Sequence, residues 1–167
     1  MKLFELKKEY EIFVDLDGVM ANLDKYVKDR TGMTFLQLRA TGDGFTDFVQ
    51  GERDEGRTVF DQLEMMPDAQ TLWDFVKPHN PAILTATGYP KEKAAAEKIR
   101  WVHANLDGFT NILTVSSGTE KQQYAAPNHI LIDDREKSIL PWRNAGGIGI
   151  LHTSAESTID QLQRLGL

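Results

Sequence analysis

The chain contains no cysteine, which excludes a disulfide framework and a thiolate metal site. It has no apolar run of membrane-spanning length, and Met1-Lys2-Leu3-Phe4-Glu5 lacks the layout of a signal peptide. The expectation is therefore a cytoplasmic protein without membrane association. Positive charge is also in short supply. The formal net charge of −6 argues against non-specific binding to nucleic-acid backbones, which takes a basic face. A small phosphorylated substrate stays compatible, because a bound divalent cation reverses the local sign. No internal repeat or low-complexity tract is present. What remains is 167 residues with 41% hydrophobic and 26% charged side chains, enough for one domain with a modest insertion and a real core. Composition leaves the oligomeric state open, a homodimer included.

The informative stretch is Ile12-Phe13-Val14-Asp15-Leu16-Asp17-Gly18. A β-branched and aromatic run leads into two acids spaced by two, which strand alternation places on one side of the chain. Gly18 lets the backbone turn sharply and approach a ligand. Two carboxylates at the end of a buried strand are costly to desolvate without a cation. Strand ends are also where α/β sheets bind ligands.

Leu3 to Glu11 is charged and leads into the first strand. Leu23, Tyr26 and Val27 recur at helical spacing and Gly32 supplies a stop, so the pattern predicts a helix over Ala21 to Thr31. Residues 22–66 then form a small, mostly helical cap inserted after strand 1, too apolar for a disordered linker. Residues 1–21 and 67–167 make the core domain. Pro67 opens a helix carrying Leu72, Trp73, Phe75 and Val76, which Lys77-Pro78 closes. Strands follow at 82–85, 111–115, 129–132 and 147–151. Between the first two of these, Pro90 starts a helix with an Ala95, Ile99, Val102, Leu106 stripe. Thr153 to Glu156 has the spacing of a capping box, and Ile159, Leu162 and Leu165 mark a final helix. Apolar runs alternating with helical patterns mean βαβ units. The expected fold is α/β, a three-layer α/β/α sandwich around a five-stranded parallel Rossmann-like sheet.

In such a sheet every strand end faces one edge, so Asp15 with Asp17, Thr85, the loop holding Lys121, and Asp133 with Asp134 converge. Clustered carboxylates raise each other's pKa. A hard cation such as Mg²⁺ relieves them, taking carboxylates, waters and a substrate phosphate. Asp15, fixed at the strand terminus, suits nucleophilic attack on phosphorus. Asp17, offset onto the turn, suits proton transfer to the leaving oxygen and from the attacking water. Thr85 and the backbone N–H groups around Ala86 suit phosphate oxygens, and Lys121 suits charge on the transferring group. Asp15, Asp17 and Asp133 are the expected metal ligands, with Asp134 beside them.

Asp15-Leu-Asp-Gly-Val19, Ile83-Leu-Thr85, a downstream Lys and Ile130-Leu-Ile-Asp-Asp-Arg135 resemble the four ordered motifs of the haloacid dehalogenase-like superfamily. In its phosphatases the first Asp is the nucleophile and the Asp two positions on is the acid/base, so Asp17 points to a phosphatase. Within the superfamily the chain is most similar to the 5′(3′)-deoxyribonucleotidases, through Asp15 to Asn22, Gln62 to Ala69, and Thr85 through Trp101-Val102 to Arg135. The resemblance implies a Mg²⁺-dependent phosphomonoester hydrolase working through an aspartyl-phosphate, with a nucleoside monophosphate as its small substrate. It departs at Ala86, where the family usually has a polar residue, in a long Lys121-to-Asp133 spacing, and throughout the insertion. Sugar phosphates and polynucleotide ends are the rival substrates. A non-catalytic phosphate-binding module is the rival from another class.

Blander readings stand beside these. Phe45, Phe48 and Phe60 can stack on a base or form the insertion's own small core. Lys91, Lys93, Lys98 and Arg100, interleaved with Glu92 and Glu97, read as a solvated helix face. Trp73, Trp101 and Trp142 read as packing, and the histidines show no metal-ligand spacing. Arg135 clamps either Asp134 or a phosphate.

Overall fold

The computed structural model describes residues 9–108 and 111–167, so most of the charged leader expected over Leu3 to Glu11 lies outside the described residues. Five strands are present: β1 (Glu11–Val14), β2 (Ala82–Ala86), β3 (Asn111–Val115), β4 (His129–Asp133) and β5 (Ile148–Leu151). They form one sheet in the order β3-β2-β1-β4-β5, and every pairing is parallel. The fold expected from the sequence is the fold observed.

Alternation explains the layers. Ile12, Val14, Ile83, Ile130 and Ile132 point to one face and join a large core with α4 (Ala69–Val76), α5 (Lys91–Asn105) and α7 (Ala155–Arg164). Phe13, Leu84 and Leu131 point to the other face, against Ile139 and Trp142 of α6 (Glu136–Asn144). With both faces covered, the central strands carry no polar alternate.

Between β1 and α4 run three helices: α1 (Leu23–Thr31), α2 (Phe35–Ala40) and α3 (Gly44–Asp54). The first two have local signals at their ends. The Asn22 side chain accepts from the Lys25 N–H, and Gly32 ends α1 in the left-handed region. Thr34 and Gln37 form a reciprocal capping box on α2. The segment leaves and returns at one place, where Ala21 bridges Met65 antiparallel and the Met66 N–H donates to the Met20 carbonyl at 2.7 Å. Its apolar residues Val27, Leu38, Val49, Val59 and Phe60 merge with the larger core.

Four details differ from the sequence expectation. The stripe on α5 is rotated: Ala94, Glu97, Lys98, Trp101 and Val102 are buried, while Ile99 is exposed. The polar loop after β3 coils into a 3₁₀ helix, Gly118–Tyr124. Helix α6 has no counterpart in the sequence reading, because Pro141 inside it breaks the usual pattern. The cap of α7 is Ser154, accepting from the Ser157 N–H, not Thr153.

Candidate active site

Asp15 is the first residue beyond β1. Its N–H continues the ladder by donating to the Ile132 carbonyl at 2.9 Å, which fixes its backbone against β4. Asp133 ends β4 and is fully buried. The two carboxylates converge on Lys121, whose Nζ donates to Asp15 Oδ1 at 2.7 Å and to Asp133 Oδ2 at 2.6 Å. The 3₁₀ helix after β3 makes this possible by turning Lys121 back over the sheet edge, which accommodates the long spacing to Asp133. The solvated alternative for Lys121 fails, since only 1% of the residue is exposed.

Asp15, Asp133 and Asp134 each bring one carboxylate oxygen to within 4.8 Å of the others. Gly18 makes room for this cluster: a Cβ built there would lie 2.2 Å from Asp134 Oδ2, and its φ of +83° is one that side chains resist. Burial, then the charge of Asp15, pushes Asp133 up to about 6 in spite of Lys121. Burial of its carboxyl and the charges of Asp15, Asp133 and Asp17 push Asp134 up to about 7. Burial disfavours the Lys121 cation, but the two carboxylates outweigh it and its pKa is raised. One lysine therefore does not neutralise three acids. The donor set is all hard oxygen and short of positive charge, which fits a divalent cation. The Asp17 carboxylate, expected as a ligand, is not one of the three gathered groups, whereas Asp134, expected beside them, is.

Asp17 is turned instead toward α5. Lys98, 1% exposed, donates from Nζ to Asp17 Oδ2 at 2.6 Å, to the Ala86 carbonyl at 2.6 Å and to Thr85 Oγ1 at 3.2 Å. Its Nζ also lies 4.7 Å from the centre of the Phe60 ring, an attractive cation–π distance. Asp17 Oδ1 is buried with no partner. Lys98 thus joins three expected site positions, Asp17, Thr85 and Ala86, although the sequence reading leaves it on a solvated face. The signal that identifies it is the i, i+4, i+7 placement of Ala94, Lys98 and Trp101 on one buried face. Its neighbour Glu97 is buried too, pairing with Arg53 and accepting from the Val59 and Phe60 N–H groups at 3.3 and 3.1 Å.

Several of these groups line a cavity of about 930 Å³. Asp15, Asp17, Ala86, Lys98, Lys121 and Asp134 lie at its base, and Phe35, Phe45 and Phe60 stand along its sides. Phe48 is not on the wall; it packs against Tyr26 and Phe45, which answers to the core alternative. Thr85 is buried beneath Lys98 rather than lining the cavity. Thr87, which follows Ala86 on the wall, has its hydroxyl donated to backbone carbonyls. Tyr89, 67% exposed, and Leu36, 65% exposed, also line the cavity. Among the described residues, no helix is long and apolar enough to cross a membrane.

No protein-family profile matches the chain, and no curated protein matches it. Solved structures do. A haloacid dehalogenase family enzyme of Bacteroides thetaiotaomicron, solved as a magnesium complex, is 16% identical, with 95% of this chain and all of that chain covered and a TM-score of 0.53. A structure described as a putative β-phosphoglucomutase, from Thermotoga maritima, is 17% identical over 93% of this chain and 99% of its own, with a TM-score of 0.52. A haloacid dehalogenase-like family hydrolase of Streptococcus pneumoniae is 16% identical over 93% and 91%, with a TM-score of 0.50. At these identities the likeness is one of fold alone, a five-stranded parallel α/β sandwich shared with these structures.

Proposed function

We propose that this chain is a Mg²⁺-dependent phosphomonoester hydrolase that acts on nucleoside or deoxynucleoside monophosphates through an aspartyl-phosphate. The observation that carries the reading is the pairing of two differently held acids at one cavity base. Asp15 is locked by β1, β4 and Lys121, while Asp17 is locked by Lys98 two residues away. Only Asp15 Oδ1 is taken by Lys121, so Oδ2 is the oxygen available to attack phosphorus. The bond to the ester oxygen breaks as the Asp15–phosphorus bond forms, and the leaving alkoxide takes a proton from Asp17. Lys98, donating to Asp17 Oδ2 at 2.6 Å, holds that carboxyl in place for the proton transfer. Asp17 then removes a proton from water, the water oxygen attacks phosphorus, and Asp15 is released with inorganic phosphate.

Lys121, raised in pKa and bonded to Asp15, keeps positive charge beside the transferring group throughout. Asp15, Asp133 and Asp134 would hold Mg²⁺, which when bound supplies the charge that lets these acids and a phosphate share one site. The nucleotide preference is supported by the aromatic side chains among the cavity's lining, Phe35, Phe45 and the exposed Tyr89, since aromatic groups suit a flat base.

The test is phosphate release from a panel of nucleoside monophosphates and common sugar phosphates, with and without Mg²⁺. Mg²⁺-dependent release that is fastest with nucleotides supports the reading, and Asp15→Asn should abolish it while the circular dichroism spectrum stays native. Release independent of metal, or undiminished in Asp15→Asn, overturns it. Faster release from sugar phosphates keeps the chemistry and moves the substrate class.

A further inference from the structure

The outer wall of the cavity carries charge that the hydrolytic chemistry leaves unused. Of eight arginines, Arg30, Arg53, Arg57, Arg100 and Arg164 pair with carboxylates. Arg143 donates to the Gly149 carbonyl. Arg39 and Arg135 alone have no carboxylate or carbonyl partner among the described residues, and both line the cavity. They come from different parts of the chain. Arg39 projects from α2, 5.6 Å from the centre of the Phe35 ring, and Arg135 follows the acids at the end of β4. They also feel one another: partial desolvation first, and the charge of Arg135 second, hold the otherwise exposed Arg39 below the ordinary arginine value. Lys137, beside them on the same wall, likewise has no acidic partner. The wall does contain carboxylates, but Asp24 Oδ1 accepts from the Phe35 N–H and Glu136 pairs with neither arginine.

In a chain with a surplus of acids, two guanidinium groups that line one cavity and pair with none of its carboxylates among the described residues have a bound anion as their natural partner. The planar fork of arginine suits a phosphate, which two such groups can clamp from two sides. A cavity of about 930 Å³ also exceeds what one phosphate and a small sugar occupy.

We infer that Arg39 and Arg135, with Lys137, form a second phosphate subsite, so that the substrate carries one phosphate at Asp15 and another at this wall. The inference rests on the phosphatase reading and narrows it to a nucleotide with two phosphates. A nucleoside bisphosphate and the phosphorylated end of a short oligonucleotide share that chemistry.

The experiment compares adenosine 5′-monophosphate, adenosine 3′,5′-bisphosphate and 5′-phosphorylated ApA as substrates of the full chain with Mg²⁺. The expected result is a kcat/KM at least about tenfold higher for a compound with the second phosphate. That ratio should fall several-fold in Arg39→Gln, whose site on α2 is exposed, and should shrink with added salt. A preference for the bisphosphate or for the dinucleotide identifies the source of the second phosphate. Equal kcat/KM for all three, or a ratio unchanged in both Arg39→Gln and Arg135→Gln, overturns the inference.

Calorimetric titration of Asp15→Asn with the same compounds keeps the two readings separable. If the wild type releases no phosphate from any compound, the phosphatase reading fails. The subsite is then judged on binding alone: tighter binding of a two-phosphate compound, lost on adding Arg39→Gln, supports it, and equal binding overturns it.

Discussion

Two fully buried lysines serve this cavity, and the regions around them are built differently. Lys121 sits between two carboxylates supplied by neighbouring strands. Lys98 meets one carboxylate, one hydroxyl, one carbonyl and an aromatic face, supplied by the β1 turn, β2 and the helical insertion. Around Lys121 the geometry follows from strand pairing, because each acid is the residue at or just after a strand's end. Around Lys98 it follows from a helix facing a loop, with Glu97 gripping the backbone of Val59 and Phe60 from the same turn of α5. The sheet region therefore fixes where charge accumulates, and the helical region fixes how Asp17 is aimed.

Removing Lys121 breaks the first arrangement most severely. Lys121→Met leaves Asp15 and Asp133 buried without their cation, and Asp133, already pushed up to about 6, takes up a proton more readily still. Turnover should fall about 10³-fold or more, and metal-free stability should drop by roughly 3–5 kcal/mol. Steady-state kinetics and urea unfolding measure both, and near-wild-type turnover would show that the strand-end cluster is structural only.

Lys98→Met comes next in size. Losing its hold on Asp17 should lower kcat about 10²-fold, with a smaller change in KM. A rise in KM alone would place Lys98 with the substrate rather than with Asp17.

A smaller effect belongs to the insertion itself. Glu52 is buried and held below its ordinary 4.5 by Arg57, with Tyr26 and Arg30 adding to the effect. A carboxyl with a depressed native pKa binds protons more weakly folded than unfolded. Its contribution is therefore present above about 4.5 and lost as pH falls through the lower native value. Acid unfolding of Glu52→Gln should accordingly show a weaker pH dependence in that window than the wild type. Overlapping curves would mean that Glu52 contributes nothing specific.

The least effect is expected at the surface. Arg100, exposed, pairs with Asp61 at 2.8 Å, and Arg100→Ala should cost less than about 1 kcal/mol. A larger loss in thermal unfolding would extend the buried network of α5 to its outer face.

The sheet region was legible in the sequence because its code is local. Ile12 to Val14, Ile83-Leu84 and Ile130 to Ile132 are continuous apolar runs, and each ends in the polar residue that reaches the edge. The helical region was less so. Lys98 lies between Glu97 and Arg100 and looks solvated when charges are counted along the chain, but its partners are 13 and 81 residues away. Its burial follows from the angular position it shares with Ala94 and Trp101. Helix α6 was obscured by Pro141, and the place of Asp134 in the acidic group depends on the close approach of Gly18, a contact between two loops.

The bridge from Ala21 to Met65 has an architectural consequence. The polypeptide departs from the sheet and rejoins it through a single doorway, so residues strung between those two points can be lengthened, shortened or exchanged while the strand tips keep their places. What hangs beyond the doorway includes α2, with Arg39, and the aromatic sides of the cavity. What ties that part to the rest is α5, through Glu97 to Arg53, Val59 and Phe60, Lys98 to Phe60, Arg100 to Asp61 and Trp101 to the Leu63 carbonyl.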